Sequence, residues 1–136
     1  MASAPEINIV ADKRVPFDET IPEMGMDDSG ATAAMEIRVE PGAQGSALVS
    51  LGMSSNGGEG IAITYDDEYP DPETDELDGA SIVRIIINET TLEGLSYNAD
   101  PSKPLVLYYD IHLTPSGSKK FIFCAGAFII NPGVTL

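Results

Sequence analysis

The stretch from Leu107 to Leu136 constrains this chain most, because it reads as a complete structural unit. Two runs rich in aliphatic, β-branched and aromatic residues, Leu107-Tyr-Tyr-Asp-Ile-His-Leu113 and Phe121-Ile-Phe-Cys-Ala-Gly-Ala-Phe-Ile-Ile130, flank Thr114-Pro-Ser-Gly-Ser118. Such runs favour extended backbone, and a Pro-Ser-Gly centre favours a tight turn, so the segment is expected to form an antiparallel hairpin. Its side chains are those of a scaffold. No nucleophile, base and metal ligand cluster within it.

The same period of two recurs along the chain, while a period of 3.6 is nearly absent. Within residues 31–40, Ala33, Met35, Ile37 and Val39 alternate with Ala34, Glu36, Arg38 and Glu40. One side of that strand is therefore expected in a core and the other in water. Further strands are expected at residues 6–10, 15–21, 47–53, 60–65, 81–88, 105–113 and 120–130. Inward faces are assigned to Ala33/Met35/Ile37/Val39, to Leu105/Leu107/Tyr109/Ile111/Leu113, and to one alternate set within residues 121–130. Residues 81–88 are apolar at nearly every position and are expected to lie centrally, covered on both faces except at Arg84, which needs a carboxylate partner or a route to the edge. Residues 88–95 are expected to form one or two helical turns, capped by Asn88 or Thr90 and stopped at Gly94. The fold class that follows is all-β: an antiparallel β-sandwich, immunoglobulin-like or jelly-roll-like, of about eight short strands with one short helix.

A chain of 136 residues buries roughly two thirds of its unfolded surface and folds on one core without staples. Residues 1–14 are read as an N-terminal arm or edge strand and residues 15–136 as a single domain. The one cysteine, Cys124, lies in an apolar run and is expected to be a buried, inert thiol. The N-terminus shows neither a basic nor an apolar leader region, and no apolar stretch approaches the roughly 18 residues of a spanning helix. A soluble protein of the cytoplasm is expected. The formal charge of −15 repels phosphate backbones and anionic lipid surfaces, so neither nucleic acid nor membrane is expected as a partner.

Residues 66–78 carry eight carboxylates and two prolines and are expected to form an exposed loop. Alternating acids in a loop suggest calcium, with Asp66, Asp67, Asp71, Asp75 and Asp78 as the candidate ligands. The glycine and closing glutamate of an EF-hand loop are missing, and the alternative is a solvated loop that aids solubility. His112 follows Asp110 by two residues on one face of a strand. Such neighbours stand about 6.5–7 Å apart, too far for a direct hydrogen bond unless the side chains bend together, and no motif places a serine or cysteine to use the imidazole. His112 is therefore read as a surface or interface residue. Gly57-Gly-Glu-Gly60 lacks the partners of a phosphate loop and is read as a turn. Of Tyr108 and Tyr109, one points inward and the other suits an interface. Ile7, Ile9 and Val10 are expected either to add a strand to a neighbouring subunit or to close the chain's own sheet. The interface candidates are thus Ile7, Ile9, Val10, Tyr108 and His112; no catalytic or cofactor-binding residues emerge.

Asp28-Ser-Gly-Ala-Thr-Ala-Ala-Met-Glu-Ile-Arg38 resembles a phrase that opens small β-sandwich proteins of the tail and baseplate regions of tailed bacteriophages. Tyr109-Asp-Ile-His-Leu-Thr-Pro-Ser-Gly-Ser118 and Ala125-Gly-Ala-Phe-Ile-Ile-Asn-Pro-Gly-Val-Thr135 are similar to the later hairpin and the ending of that group, in particular the N-terminal domain of upper baseplate proteins. With the short helix between, the resemblance spans most of residues 15–135. It implies a non-enzymatic virion structural protein, made in the bacterial host cytoplasm and present as a homo-oligomer or in multiple copies. It would act as a tail, baseplate or fibre adaptor that docks to other virion proteins. A capsid decoration protein and a free-standing carbohydrate- or calcium-binding sandwich are the alternatives.

Overall fold

A computed structural model describes residues 6–13, 15–25, 27–28, 30–40, 47–54, 58–95 and 103–132. Eight strands and one short helix follow in the order β1 (Ile9–Asp12), β2 (Phe17–Met24), β3 (Thr32–Arg38), β4 (Val49–Leu51), β5 (Gly60–Pro70), β6 (Leu77–Ile87), α1 (Glu89–Glu93), β7 (Leu105–Thr114) and β8 (Phe121–Asn131). They form a five-stranded sheet, β1-β8-β7-β3-β4, and a three-stranded sheet, β2-β6-β5. Every pairing is antiparallel except β1 on β8, which is parallel. The β7–β8 hairpin expected from the sequence stands at the middle of the larger sheet.

One hydrophobic core joins the two sheets, with Met35, Ile37, Ile111 and Phe128 of one meeting Phe17, Val83 and Ile85 of the other. The Phe17 and Phe128 rings meet edge to face at 5.6 Å between centroids, an arrangement that aligns the positive edge of one ring with the negative face of the other. Alternation places Leu105, Leu107, Tyr109, Ile111 and Leu113 inward along the whole of β7. Ala33, Met35 and Ile37 do the same in β3. Val39 does not: β3 ends at Arg38, and Val39 is 55% exposed. The alternation in β8 also breaks. The register with β7 shifts between Ile111 and His112, where Ile111 faces Cys124 but His112 faces Ile122. The extra residue, Phe123, turns inward beside Cys124, and both are buried.

Three other expectations are revised. β6 is the central strand of its sheet, but within residues 81–88 only the inward Ser81, Val83, Ile85 and Ile87 are fully covered; Ile82 and Ile86 are half-buried on the outer face and Arg84 is exposed. The strand expected over residues 47–53 is shorter, because after Leu51 the chain leaves β3 and bridges to Ile61 through Gly52, Met53 and Ser54. That bridge ties the edge of one sheet to the other. A side chain on Gly60, whose φ is +137°, would run into Gly52 and Ser54 there. The third revision concerns residues 66–78, which are no simple loop. β5 continues to Pro70 and β6 begins at Leu77, so the acidic segment forms the two arms of a hairpin closed by a turn over residues 71–76. Its carboxylates are exposed, apart from the half-buried Asp71, and like-charge repulsion between them is weakened by water and salt. Pro70 ends its strand, where a missing N–H costs little.

Candidate functional site

The features that can meet a partner lie on the outer face of the larger sheet, at the seam between the two sheets, and around a partly buried carboxyl pair. On the outer face, Val10, Ile129 and Val106 stand abreast across β1, β8 and β7, with Tyr108 beside Ala127 and Arg38 in a neighbouring row. Val10 is 54% exposed, Val106 46% and Tyr108 37%. His112 shares this face, paired in register with Ala34 and Ile122. Its Nε2 lies 3.5 Å from Asp110 Oδ2, so the two side chains do lean together, against the separation expected from strand spacing. Of the interface candidates, Val10, Tyr108 and His112 therefore share one surface.

Ile7 and Ile9 go elsewhere. Glu6 forms a parallel bridge with Ala125, the Ile7 N–H donates to the Ala125 carbonyl at 2.9 Å, and β1 continues along β8. Of the two expectations for this segment, the structure shows closure of the chain's own sheet. The Tyr109 hydroxyl, inside the core, donates to the Ile7 carbonyl, and Asn8 Oδ1 accepts from the Ala127 N–H at 3.1 Å. Gly126 permits this approach, since a Cβ there would collide with the Ile7 carbonyl. Burial pushes the Tyr109 phenol well above its usual range, and the neighbouring Cys124 acts in the same direction. Burial likewise pushes the Cys124 thiol up, against a smaller opposing effect of the Tyr109 hydrogen bond. The sulfur lies 3.7 Å from the Tyr109 oxygen.

β1 and β2 are edge strands of different sheets, and nothing among the described residues bridges them as Gly52–Ser54 bridges the opposite side. Between them opens a groove of about 250 Å³, lined by Ile7, Ile9, Val10, Phe17, Glu19 and Ile21 among others. On the outer side of β2, Asp18 takes both Arg84 Nε and Nη2, at 2.9 and 2.7 Å. Of the two outcomes expected for Arg84, a carboxylate partner or a route to the edge, it has the partner while remaining exposed, and its hydrogen bond is the main reason Asp18 is shifted down from its ordinary value.

The far end of β2 holds a pair that sequence reasoning missed. Glu23 is half-buried and Asp28 is buried, and Glu23 Oε2 and Asp28 Oδ2 have no hydrogen-bond partner. The Asp28 backbone N–H donates to Ser81 Oγ at 2.6 Å, which pins the chain after β2 against β6. Burial, then a hydrogen bond to Asp28 and its negative charge, push the Glu23 carboxyl up to about 7. Protonated Glu23 can donate to Asp28, which gives the pair a donor it otherwise lacks. Two acids five residues apart gave no sequence signal, because the contact depends on the turn between them.

No protein-family model matches the chain, and no curated protein matches it.

Among the described residues, no three His, Cys, Asp or Glu side chains converge as metal ligands would. Asp66 Oδ1 accepts the Glu68 N–H, Asp71 Oδ1 the Glu73 N–H and Asp78 Oδ1 the Gly79 N–H, all bonds to the local backbone. Asp67 is exposed on β5, and Asp75 occupies the turn with φ of 62°. In the helix, Asn88 holds the N-cap position without a side-chain cap bond. Glu59 replaces it: its Oε2 accepts from the Asn88 N–H at 2.7 Å and the Thr91 hydroxyl at 2.6 Å. Glu59, just before β5, thus anchors α1. No helix among the described residues is long and apolar enough to cross a membrane.

Proposed function

We propose that this chain is a structural protein of a tailed-bacteriophage virion, a tail, baseplate or fibre adaptor that works by docking to other virion proteins and carries out no catalysis. The observation that carries the reading is where the three resembling phrases fall. Residues 28–38 include β3, residues 109–118 run along β7 into its turn, and residues 125–135 include the second half of β8. These strands are consecutive neighbours in one sheet, β8-β7-β3. Phrases distant in sequence meet as one surface, as expected of a shared scaffold rather than of three unrelated turn motifs. The exposed Val10, Val106 and Tyr108 on that sheet supply apolar area for association.

Mass spectrometry of purified virions, with stoichiometry against the major capsid protein, tests the reading. A fixed copy number small relative to the capsid protein is the expected result. Copies comparable to the capsid protein would instead make it a head decoration protein, and absence from particles would overturn both.

A further inference from the structure

We propose that the edge of β2, unpaired among the described residues, with the groove beside it, receives an extended segment of a partner protein that carries apolar and basic side chains in alternation. The proposal rests on the docking function above and names its site.

Three observations support it. First, the Gly25 N–H donates to the Gly79 carbonyl at 2.7 Å, one step beyond the Met24–Ala80 pair. In an antiparallel ladder, hydrogen-bonded and non-bonded pairs alternate. Residues 17, 19, 21 and 23 therefore bond to β6, and the peptide groups of Asp18, Thr20, Pro22 and Met24 face the open edge. Pro22 fits this parity, since its missing N–H then falls where β6 needs none. Second, the groove is walled by Ile7, Ile9, Phe17 and Ile21 with Ile85 behind. At about 250 Å³ it is smaller than the roughly 300–1,000 Å³ of small-molecule sites, a size suited to a few side chains of an added strand. Third, the charge selects the occupant. β2 carries Asp18, Glu19 and Glu23 and no basic residue, and Glu19 lines the groove. A second copy pairing through β2 would set carboxylates against carboxylates, which is destabilising across strands. A lysine or arginine opposite Glu19 is favoured.

Such a strand, antiparallel to β2, presents a basic residue to Glu23, an apolar one to Ile21, a basic one to Glu19 and an apolar one to Phe17. The probe is therefore the capped heptapeptide KTVTKTV, with ETVTETV as the control. Amide exchange is followed by NMR on the full chain, with affinity read by titration. KTVTKTV should slow exchange of the Asp18 and Thr20 amides at least tenfold, and ETVTETV should not. Glu19→Lys should weaken binding at least tenfold. Thr20→Pro removes an edge donor without touching the β6 ladder, and should abolish binding while its melting transition stays close to wild type. Should Thr20→Pro unfold the chain, an N-methylated KTVTKTV that cannot pair with the edge replaces it and should not bind.

The proposal is overturned if KTVTKTV fails to bind, binds with no protection on β2, or binds equally when N-methylated. Asp18 and Thr20 amides already protected in the free protein would also overturn it, since the edge would then be occupied. None of these results bears on virion copy number, so the docking reading can survive the loss of this site.

Discussion

At the residue scale, Glu23 makes stability depend on pH in a direction unusual for a carboxylate. Its folded value of about 7 exceeds its ordinary value of 4.5, so the folded state binds more protons across that window. The contribution is fully present below about pH 4.5, is lost as pH rises to about 7, and is flat beyond. Glu23→Gln is expected to raise the melting midpoint at pH 8 and to flatten the slope between pH 5 and 7, as read by melting curves across pH. An unchanged slope would remove the carboxyl pair from the account. Met35, Ile37, Ile111 and Leu113 are all fully buried, so truncating Ile37 or Ile111 to alanine should cost about 2–5 kcal/mol in denaturant unfolding. Loss of less than about 1 kcal/mol at both positions would contradict the face assignment.

At the scale of elements, the parallel pairing of β1 on β8 depends on Gly126. Gly126→Ala forces the Ile7 carbonyl away and should free residues 6–12, seen as new early cleavage there in limited proteolysis and a lower melting midpoint. Wild-type proteolysis would mean that β1 is held some other way. What was legible in the sequence follows from the same local physics. β3 and β7 show clean alternation with one wet face, so their faces could be read directly, and the Arg84 run announced a need for a carboxylate or a route to the edge. The partner of β1 was not legible, because a parallel pairing between opposite ends of the chain leaves no local pattern. The Phe123 bulge was hidden because an apolar run looks the same with or without one extra residue. Nor could composition show that residues 66–78 keep pairing as a hairpin: acids disfavour strands in general, but an arm exposed on both sides pays little for them. The candidate site was read in part. Val10, Tyr108 and His112 were placed together only by the register of three strands, and Glu23 with Asp28 only by a turn.

At the scale of the whole molecule, a charge of −15 concentrates on the β5–β6 hairpin and thins on the outer face of the larger sheet. The hairpin is expected to face solvent in any assembly, since so many carboxylates resist desolvation against an acidic neighbour. Replacing Asp71, Asp75 and Asp78 by Asn and Glu76 by Gln keeps the acceptor oxygens that close its turns. Melting should stay near wild type while solubility falls. A calcium-dependent rise in melting temperature that disappears in this variant would instead make the hairpin a metal site. Assembly itself is most directly tested by electron cryomicroscopy of the intact particle. The account predicts density for this two-sheet domain in the tail or baseplate, with the larger sheet's outer face or the β2 edge against another virion protein and the acidic hairpin in solvent. A particle in which that domain is found nowhere, or is held through the acidic hairpin alone, would contradict it.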